Sequence, residues 1–175
     1  MPVISEFKNR QIHWVWGEIS PALRSQLIEF WRDNGAIQDP FEAWRRSLEV
    51  ACVAFDSSEQ IVGVSSVYCA YCAQAEAPYW FYRTFVHEDS RTGGLAPRIF
   101  TCTFEQLKLA YAGENEAPIG LMVIAENPKL ETAPGIRIIQ RAGLLLLGRT
   151  VSGQSVWHRL FNPCVMGPTE SQPHG

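Results

Sequence analysis

The sequence predicts an α/β (α+β) domain, a central sheet flanked by helices, on three observations. Strand-like and helix-like segments alternate along the chain instead of separating into two blocks. The 175 residues are 46% apolar and 19% charged, a globular balance with enough length for one proper core. A strand rich in aromatic and β-branched residues ends at Val86 and runs through Gly93 and Gly94 into an amphipathic helix. Residues 1–161 read as one domain and 162–175 as a loose tail. No internal repeat and no linker to a second domain is visible.

Taken in order, residues 1–10 read as a lead-in. Gln11 to Ile19 alternates through Ile12, Trp14 and Trp16, as a first strand would. Ser20-Pro21 is an N-cap followed by an N1 proline, and Leu23, Leu27, Phe30 and Trp31 then share a helical face that Asn34-Gly35 stops. Asp39-Pro40 repeats the start signal for a second helix, with Phe41, Trp44 and Leu48 on one side and Glu42, Arg45 and Arg46 on the other. Ala51 to Phe55 is a short apolar strand, joined across Asp56–Gln60 to a longer one from Ile61 to Cys72. The segment 74–78 turns the chain into the strand that ends at Val86. Pro97 suits a first helical position, and Phe100, Phe104, Leu107 and Tyr111 follow on one face. Ile119 to Ala125 is a continuous apolar run, expected of a strand covered on both faces and ended by Asn127-Pro128. Ile136 to Ala142 reads as a short helix capped by Gly143. Leu144 to Leu147 and Ser155 to Phe161 are two last strands.

Charge and cysteine content narrow the function classes. The net charge of −3 gives no electrostatic support for nucleic acid as a main partner. No apolar run is long enough for a membrane span and no signal-peptide core is present, so no membrane partner is expected. Five cysteines without an export signal suggest reduced thiols and a cytoplasmic location. Cys69-Ala70-Tyr71-Cys72 has the C-x-x-C spacing of some zinc and redox sites, yet in a strand residues three apart face opposite sides. The four histidines are scattered, so no metal is expected.

The glycine loop carries the functional signal. A loop that feeds a helix start presents free backbone N–H groups and the positive end of the helix dipole, a site for an anion and most often phosphate. Ordinary tightness of a strand-to-helix turn would use the same glycines. The spacing Arg91-x-x-Gly94-x-Ala96 resembles the Arg/Gln-x-x-Gly-x-Gly/Ala signature of the GNAT (GCN5-related N-acetyltransferase) superfamily, and Val86 stands where that family tends to place a valine. The element order β-α-α-β-β-β-α-β-α-β-β, over roughly residues 10–161, is similar to that of the same family. The resemblance implies a mixed, mostly antiparallel sheet of about seven strands.

It also implies acetyl-CoA, or another acyl-CoA, as co-substrate. By that resemblance the backbone at Phe85 and Val86 holds the pantetheine arm. Arg91, Thr92, Gly93, Gly94, Leu95 and Ala96 hold the pyrophosphate, with charge from Arg91 and Arg98, and Asn127 contacts the cofactor's amides. The alternative for both arginines is solvated surface charge, a reading that competes more strongly at Arg98 than at Arg91. Acyl transfer to an amine needs a base for the amine and a proton for the departing thiolate. Glu126, at the end of the 119–125 strand, is the acid best placed for the first task, or else a solvent-facing strand end. The tyrosine that the family commonly offers for the second is replaced by Ile139, counted back from Gly143-Leu144. Tyr82 is the substitute hydroxyl, and residues 129–135 look like an insertion. Trp31, Phe41 and Trp44 line an acceptor pocket or belong to the core.

Two functions follow. The first is an N-acetyltransferase acting on a primary amine of a small molecule or protein by direct attack in a ternary complex. The second is a GNAT-like module that binds acyl-CoA or a partner with little turnover. A dinucleotide-binding reading fails because no Gly-x-Gly-x-x-Gly follows the first strand. The apolar C-terminal strands finish the sheet or pair with a second copy as a homodimer.

Overall fold

The computed structural model describes residues 1–91 and 93–163. The expectation for Thr92, and that for the tail beyond residue 163, lie outside the described residues. Eight strands form one sheet in the order β1-β2-β3-β4-β5-β6-β8-β7, against the about seven expected. They are β1 (Val3–Phe7), β2 (Arg10–Trp14), β3 (Val50–Phe55), β4 (Ile61–Cys72), β5 (Ala77–Val86), β6 (Gly120–Ile124), β7 (Leu145–Arg149) and β8 (Ser155–Leu160). Every neighbour pair is antiparallel except β5–β6. The mixed, mostly antiparallel sheet is therefore as expected.

The additional strand is β1, which replaces the expected lead-in. It pairs with β2 through a two-residue turn at Lys8 and Asn9, both with positive φ (47° and 59°). A turn of that kind matches the strand twist but normally announces itself by Asn-Gly or Asp-Gly. Lysine in the first position hides it. The following strand also stops at Trp14 instead of Ile19. Beyond Trp14 the chain turns at Gly17 (φ 76°), which reverses it toward the first helix.

Helices α1 (Pro21–Asp33), α2 (Pro40–Ser47), α3 (Leu95–Tyr111) and α4 (Ala133–Arg141) cover the sheet. The Ser20 hydroxyl accepts from Leu23 N at 3.2 Å and the Asp39 carboxylate from Phe41 N at 3.0 Å, so both predicted caps are in place. On α1 the buried face is Leu23, Leu27, Phe30 and Trp31, as the spacing predicts. On α2 it is not. Phe41, Trp44 and Leu48 are exposed, and small Ala43 and Ser47 face the core. Close packing of so short a helix admits the small residues.

Helix α3 starts at Leu95, two residues before Pro97, because Gly94 with φ 89° serves as its cap. A proline in the third position still costs nothing, since no first-turn N–H has a helical partner. Helix α4 begins at Ala133 instead of Ile136. The segment expected to be an insertion folds into a 3₁₀ turn (Pro128–Glu131) that packs on the start of α4. A Cβ at Gly135 would run into the Lys129 carbonyl, so glycine permits that contact. The Glu131 carboxylate accepts from Ser155 N and Oγ (2.8 and 2.7 Å), fastening the turn to β8.

Helices α3 and α4 share one sheet face, over a core of Val67, Trp80, Phe100, Phe104, Leu107, Leu121 and Trp157. The opposite face holds α1 and α2 over Val50, Val53 and Val64. Cys69 is exposed and Cys72 buried, as opposite strand faces require, and both are free thiols. Burial pushes the Cys52 thiol up to about 12 despite a hydrogen bond from Thr103, which leaves it an inert core residue. Among the described residues no helix is long and apolar enough to cross a membrane.

Candidate active site between two diverging strands

The site begins where β5 and β6 part. Ile119 N donates to the Pro78 carbonyl at 3.0 Å, and Trp80–Leu121 and Phe81–Met122 are paired. Beyond Phe81 no pair joins the two strands among the described residues. Their outer edges explain the divergence. The whole of β5 is held by β4, from Gly63–Val86 to Cys72–Ala77, while β6 is held by β8 from Gly120–Leu160 to Ile124–Val156. Gly120 lets β8 approach closely, because a Cβ there would strike the Arg159 carbonyl. The inner edge of β5 over residues 82–86 is thus left with main-chain groups that have no strand partner, a docking edge for an extended chain. The opening widens into a cavity of about 600 Å³ bounded by Trp31, Ile37, Arg83, Phe85, Val123 and Glu126.

The glycine loop sits at the end of β5. Gly93 and Gly94 have φ of 91° and 89°, which side chains rarely adopt. They turn the chain into the first turn of α3, whose amides at Leu95 and Ala96 have no helical partner. Leu95 is fully buried and anchors the loop. Arg91 folds back, its Nε donating to the Val86 carbonyl at 3.0 Å while its guanidinium lies 5.6 Å from the centre of the Phe85 ring. One lone pair of Val86 is thereby occupied. Arg98 donates from Nε and Nη2 to Ser5 Oγ (3.0 and 2.8 Å), which ties α3 to β1.

Lys8 was not legible as part of this loop. Its Nζ stands 2.6 Å from where a Gly93 Cβ would be, so the β1–β2 turn lays an ammonium against the glycines. Arg10, on β2, donates to Ser90 Oγ at 3.3 Å just before the loop. The loop residues fit an anionic group: glycines with open amides, a helix start and a neighbouring flexible cation. The signal for Lys8 would have been the hidden turn itself.

Tyr82 lies on the α3 side of β5, buried, with its ring edge-on to Phe100 at 5.2 Å. Its hydroxyl has no hydrogen-bond partner among the described residues. Burial pushes its phenol far above the ordinary range, so it stays protonated at neutral pH. Glu126 is exposed on the cavity wall at the end of β6, separated from Tyr82 by the strand gap. The Asn127 Oδ1 accepts from Lys129 N at 3.0 Å and so caps the 3₁₀ turn, leaving its amide nitrogen for other work. Ile139 is buried against Leu144 and Trp157 in the core. A tyrosine there would need a partner for its hydroxyl within that apolar cluster. Of the aromatics considered for an acceptor pocket, Trp31 borders the cavity, while Phe41 (72% exposed) and Trp44 (45%) stand outside it.

The α1–α2 side of the cavity carries charges that sequence spacing did not bring together. Arg83 Nη2 donates to Glu49 Oε2 at 2.9 Å, and its guanidinium lies 4.4 Å from the centre of the Tyr68 ring. Tyr68 stacks in turn on Phe81 at 5.3 Å. Glu49 also accepts from Arg45 Nη1 at 2.6 Å, and Glu42 holds Arg45 (2.8 Å) and Arg46 (2.7 Å). Residues 42, 46, 49, 66, 68 and 83 meet only because β3, β4 and β5 lie side by side.

No family model matches the sequence, and no curated protein matches it. Solved structures do match the fold. A phosphinothricin acetyltransferase of the GNAT superfamily from Sinorhizobium meliloti, in complex with AcCoA, superposes with a TM-score of 0.65 at 13% identity, covering 94% of this chain and 95% of that one. The ribosomal-protein-S5-alanine acetyltransferase from Vibrio fischeri gives 0.62 at 13% identity over 91% and 97%. A GCN5-related N-acetyltransferase from Kribbella flavida gives 0.55 at 16% identity over 87% and 98%. The chain therefore has the GNAT fold, as its glycine loop and element order led one to expect.

Proposed function

We propose that this protein is an acyl-CoA-dependent N-acyltransferase of the GNAT superfamily, transferring acetyl from acetyl-CoA to a primary amine. One observation carries the reading: the glycine loop at the start of α3 follows directly on β5, the strand whose inner edge is left open where β5 and β6 part. A ligand with phosphates at one end and an extended arm at the other is the kind that such a pair accepts. Similar structures solved with acetyl-CoA support the same choice. The pyrophosphate is assigned to the amides of Arg91, Thr92, Gly93, Gly94, Leu95 and Ala96, with charge from Lys8 and Arg91. The pantetheine arm is assigned to the free edge of β5 at Phe85 and Val86, and Asn127 to the arm's amides. Arg98 stands further back, its guanidinium engaged by Ser5.

In this reading the acceptor amine enters from the α1–α2 side and attacks the thioester carbonyl directly. Glu126 takes the amine's proton, directly or through water, and the C–S bond breaks as the C–N bond forms. Tyr82 returns a proton to the departing thiolate, the role that Ile139 has no group to perform. A phenol kept protonated by burial suits a donor. Calorimetric titration of acetyl-CoA tests the assignment. The wild type is expected to bind. Gly94→Trp, checked by circular dichroism for an intact fold, is expected not to. Release of free thiol in the presence of an amine then establishes turnover. Failure of the wild-type protein to bind any acyl-CoA would sink the proposal.

A further inference from the structure

We propose that the acceptor is a small amine that carries a carboxylate, an amino acid or a compound of its size, and that Arg83 and Arg46 hold that carboxylate. The inference rests on the acyltransferase reading and goes beyond it by assigning the acceptor's chemical class. Both guanidiniums border the cavity on the side away from α3. Arg83 is unusual for a strand residue in the middle of a sheet: its Nε is buried and has no partner among the described residues. One of its five donors reaches Glu49, and the Tyr68 ring lies against its guanidinium. Burial, and then the charge of Arg46, hold its pKa below the ordinary arginine value. Both causes describe a cation short of anionic partners.

The local charge balance points the same way. Glu42 and Glu49 face Arg45, Arg46 and Arg83 in one connected set of ion pairs, two negative against three positive. One positive charge remains, which a monoanion neutralises and a phosphate, close to dianionic at neutral pH, overshoots. A carboxylate matches the planar guanidinium fork and offers acceptors to guanidinium N–H groups beyond the one that Glu49 takes. Glu126 lies on the wall of the same cavity, where β5 and β6 separate. A molecule with an amine at one end and a carboxylate at the other therefore meets a base and a cationic cradle in one enclosure. The cavity volume of about 600 Å³, shared with the end of the acyl-bearing arm, suits a small molecule.

The test uses the full chain with saturating acetyl-CoA and follows thiol release with the common L-amino acids, each beside its own carboxamide. The expected result is at least one amino acid whose kcat/KM exceeds that of its amide by ~10–100-fold, the range for a hydrogen bond to a charged group. Arg83→Gln is expected to erase most of that preference by raising KM for the carboxylate while leaving the amide's KM and the acetyl-CoA affinity in place. Because that change removes one of the two partners of Glu49, Arg83→Gln/Glu49→Gln and the more exposed Arg46→Gln serve as companions that keep the fold. Equal rates for acids and amides overturn the inference. So does acetyl-CoA binding without thiol release for any amino acid. Absence of acetyl-CoA binding by the wild type is a separate result, and takes the acyltransferase reading down with it.

Discussion

The two faces of the sheet are built to different ends. The α3–α4 face is closed: Trp80, Phe100, Phe104, Leu107, Leu121 and Trp157 form one apolar cluster, and Tyr82 is buried within it. On the other face α1 and α2 cover β3, β4 and the Phe85 end of β5 but leave the gap between β5 and β6 open, and the cavity there carries Arg46, Arg83 and Glu126. Burying polar groups is costly unless they are paired. These charges accordingly lie at the open cavity, and the opposite face supplies the apolar core. The glycine loop joins the two at the end of β5.

The sharpest way to break this contrast is to truncate one phenylalanine on each side. Phe104 is almost wholly buried, touches Phe161 and lies 3.7 Å below the Arg159 guanidinium. Phe104→Ala should cost ~3–5 kcal/mol. Phe41→Ala, on the exposed side of α2, should stay within ~0.5 kcal/mol. Urea unfolding of both variants decides it. Comparable losses would mean that α2 packs against something its exposed residues do not reveal.

Tyr82 is the one point at which the closed face is asked to do chemistry. Tyr82→Phe should lower kcat by ~10²-fold, the scale of a lost general acid, and leave the acetyl-CoA dissociation constant alone. Stability should hold or rise slightly, because the hydroxyl removed has no partner. A variant with full kcat would move the proton donor elsewhere or leave the thiolate to depart unaided. Glu126→Gln complements it on the open face. If Glu126 takes the amine's proton, its loss should lower kcat by ~10²-fold and leave acetyl-CoA binding in place.

What the sequence made legible follows the same division. The loop could be read because its chemistry is local: Arg91, Gly93, Gly94 and Ala96 fall within six residues of one another, and the glycines are demanded by backbone conformation. The fold class could be read because caps such as Ser20 and Asp39 and the period of α1 are also local. The acceptor side could not. Arg46, Glu49, Ser66, Tyr68 and Arg83 come from three stretches of chain, and each alone reads as an ordinary surface or strand residue. The β1–β2 turn was hidden by lysine in a left-handed position, and with it Lys8 disappeared from the loop. The period of α2 misled because a two-turn helix can turn either side inward. Which side it turned depended on neighbours far along the chain.

Lys8 tests whether the loop is read by more than its own amides. Lys8→Ala should weaken acetyl-CoA binding by about tenfold or less, as for one charge-assisted contact at the surface, with the deficit shrinking as salt is raised. An unchanged dissociation constant at low salt would assign the loop's affinity to its backbone and Arg91 alone.

The smallest effect concerns pH. Hydrogen bonds from Arg45 and then Arg46 hold the Glu42 carboxyl down at about 2, against an ordinary value of 4.5. A depressed folded-state value means that the unfolded chain binds the proton first. The contribution to stability is therefore complete above pH 4.5 and is lost as pH falls toward 2. The pairs lie near the surface, so the loss should be only ~0.5 kcal/mol and screened by salt. The consequence for the cavity is more telling than the energy. Once Glu42 is protonated, Arg45 keeps Glu49 as its partner and Arg46, which borders the cavity, loses its ion pair. Denaturant midpoints of wild type and Glu42→Gln should therefore differ at pH 6 and converge near pH 2.5. A constant difference at both pH values would mean that Glu42 acts through the packing of α2 and not through its charge.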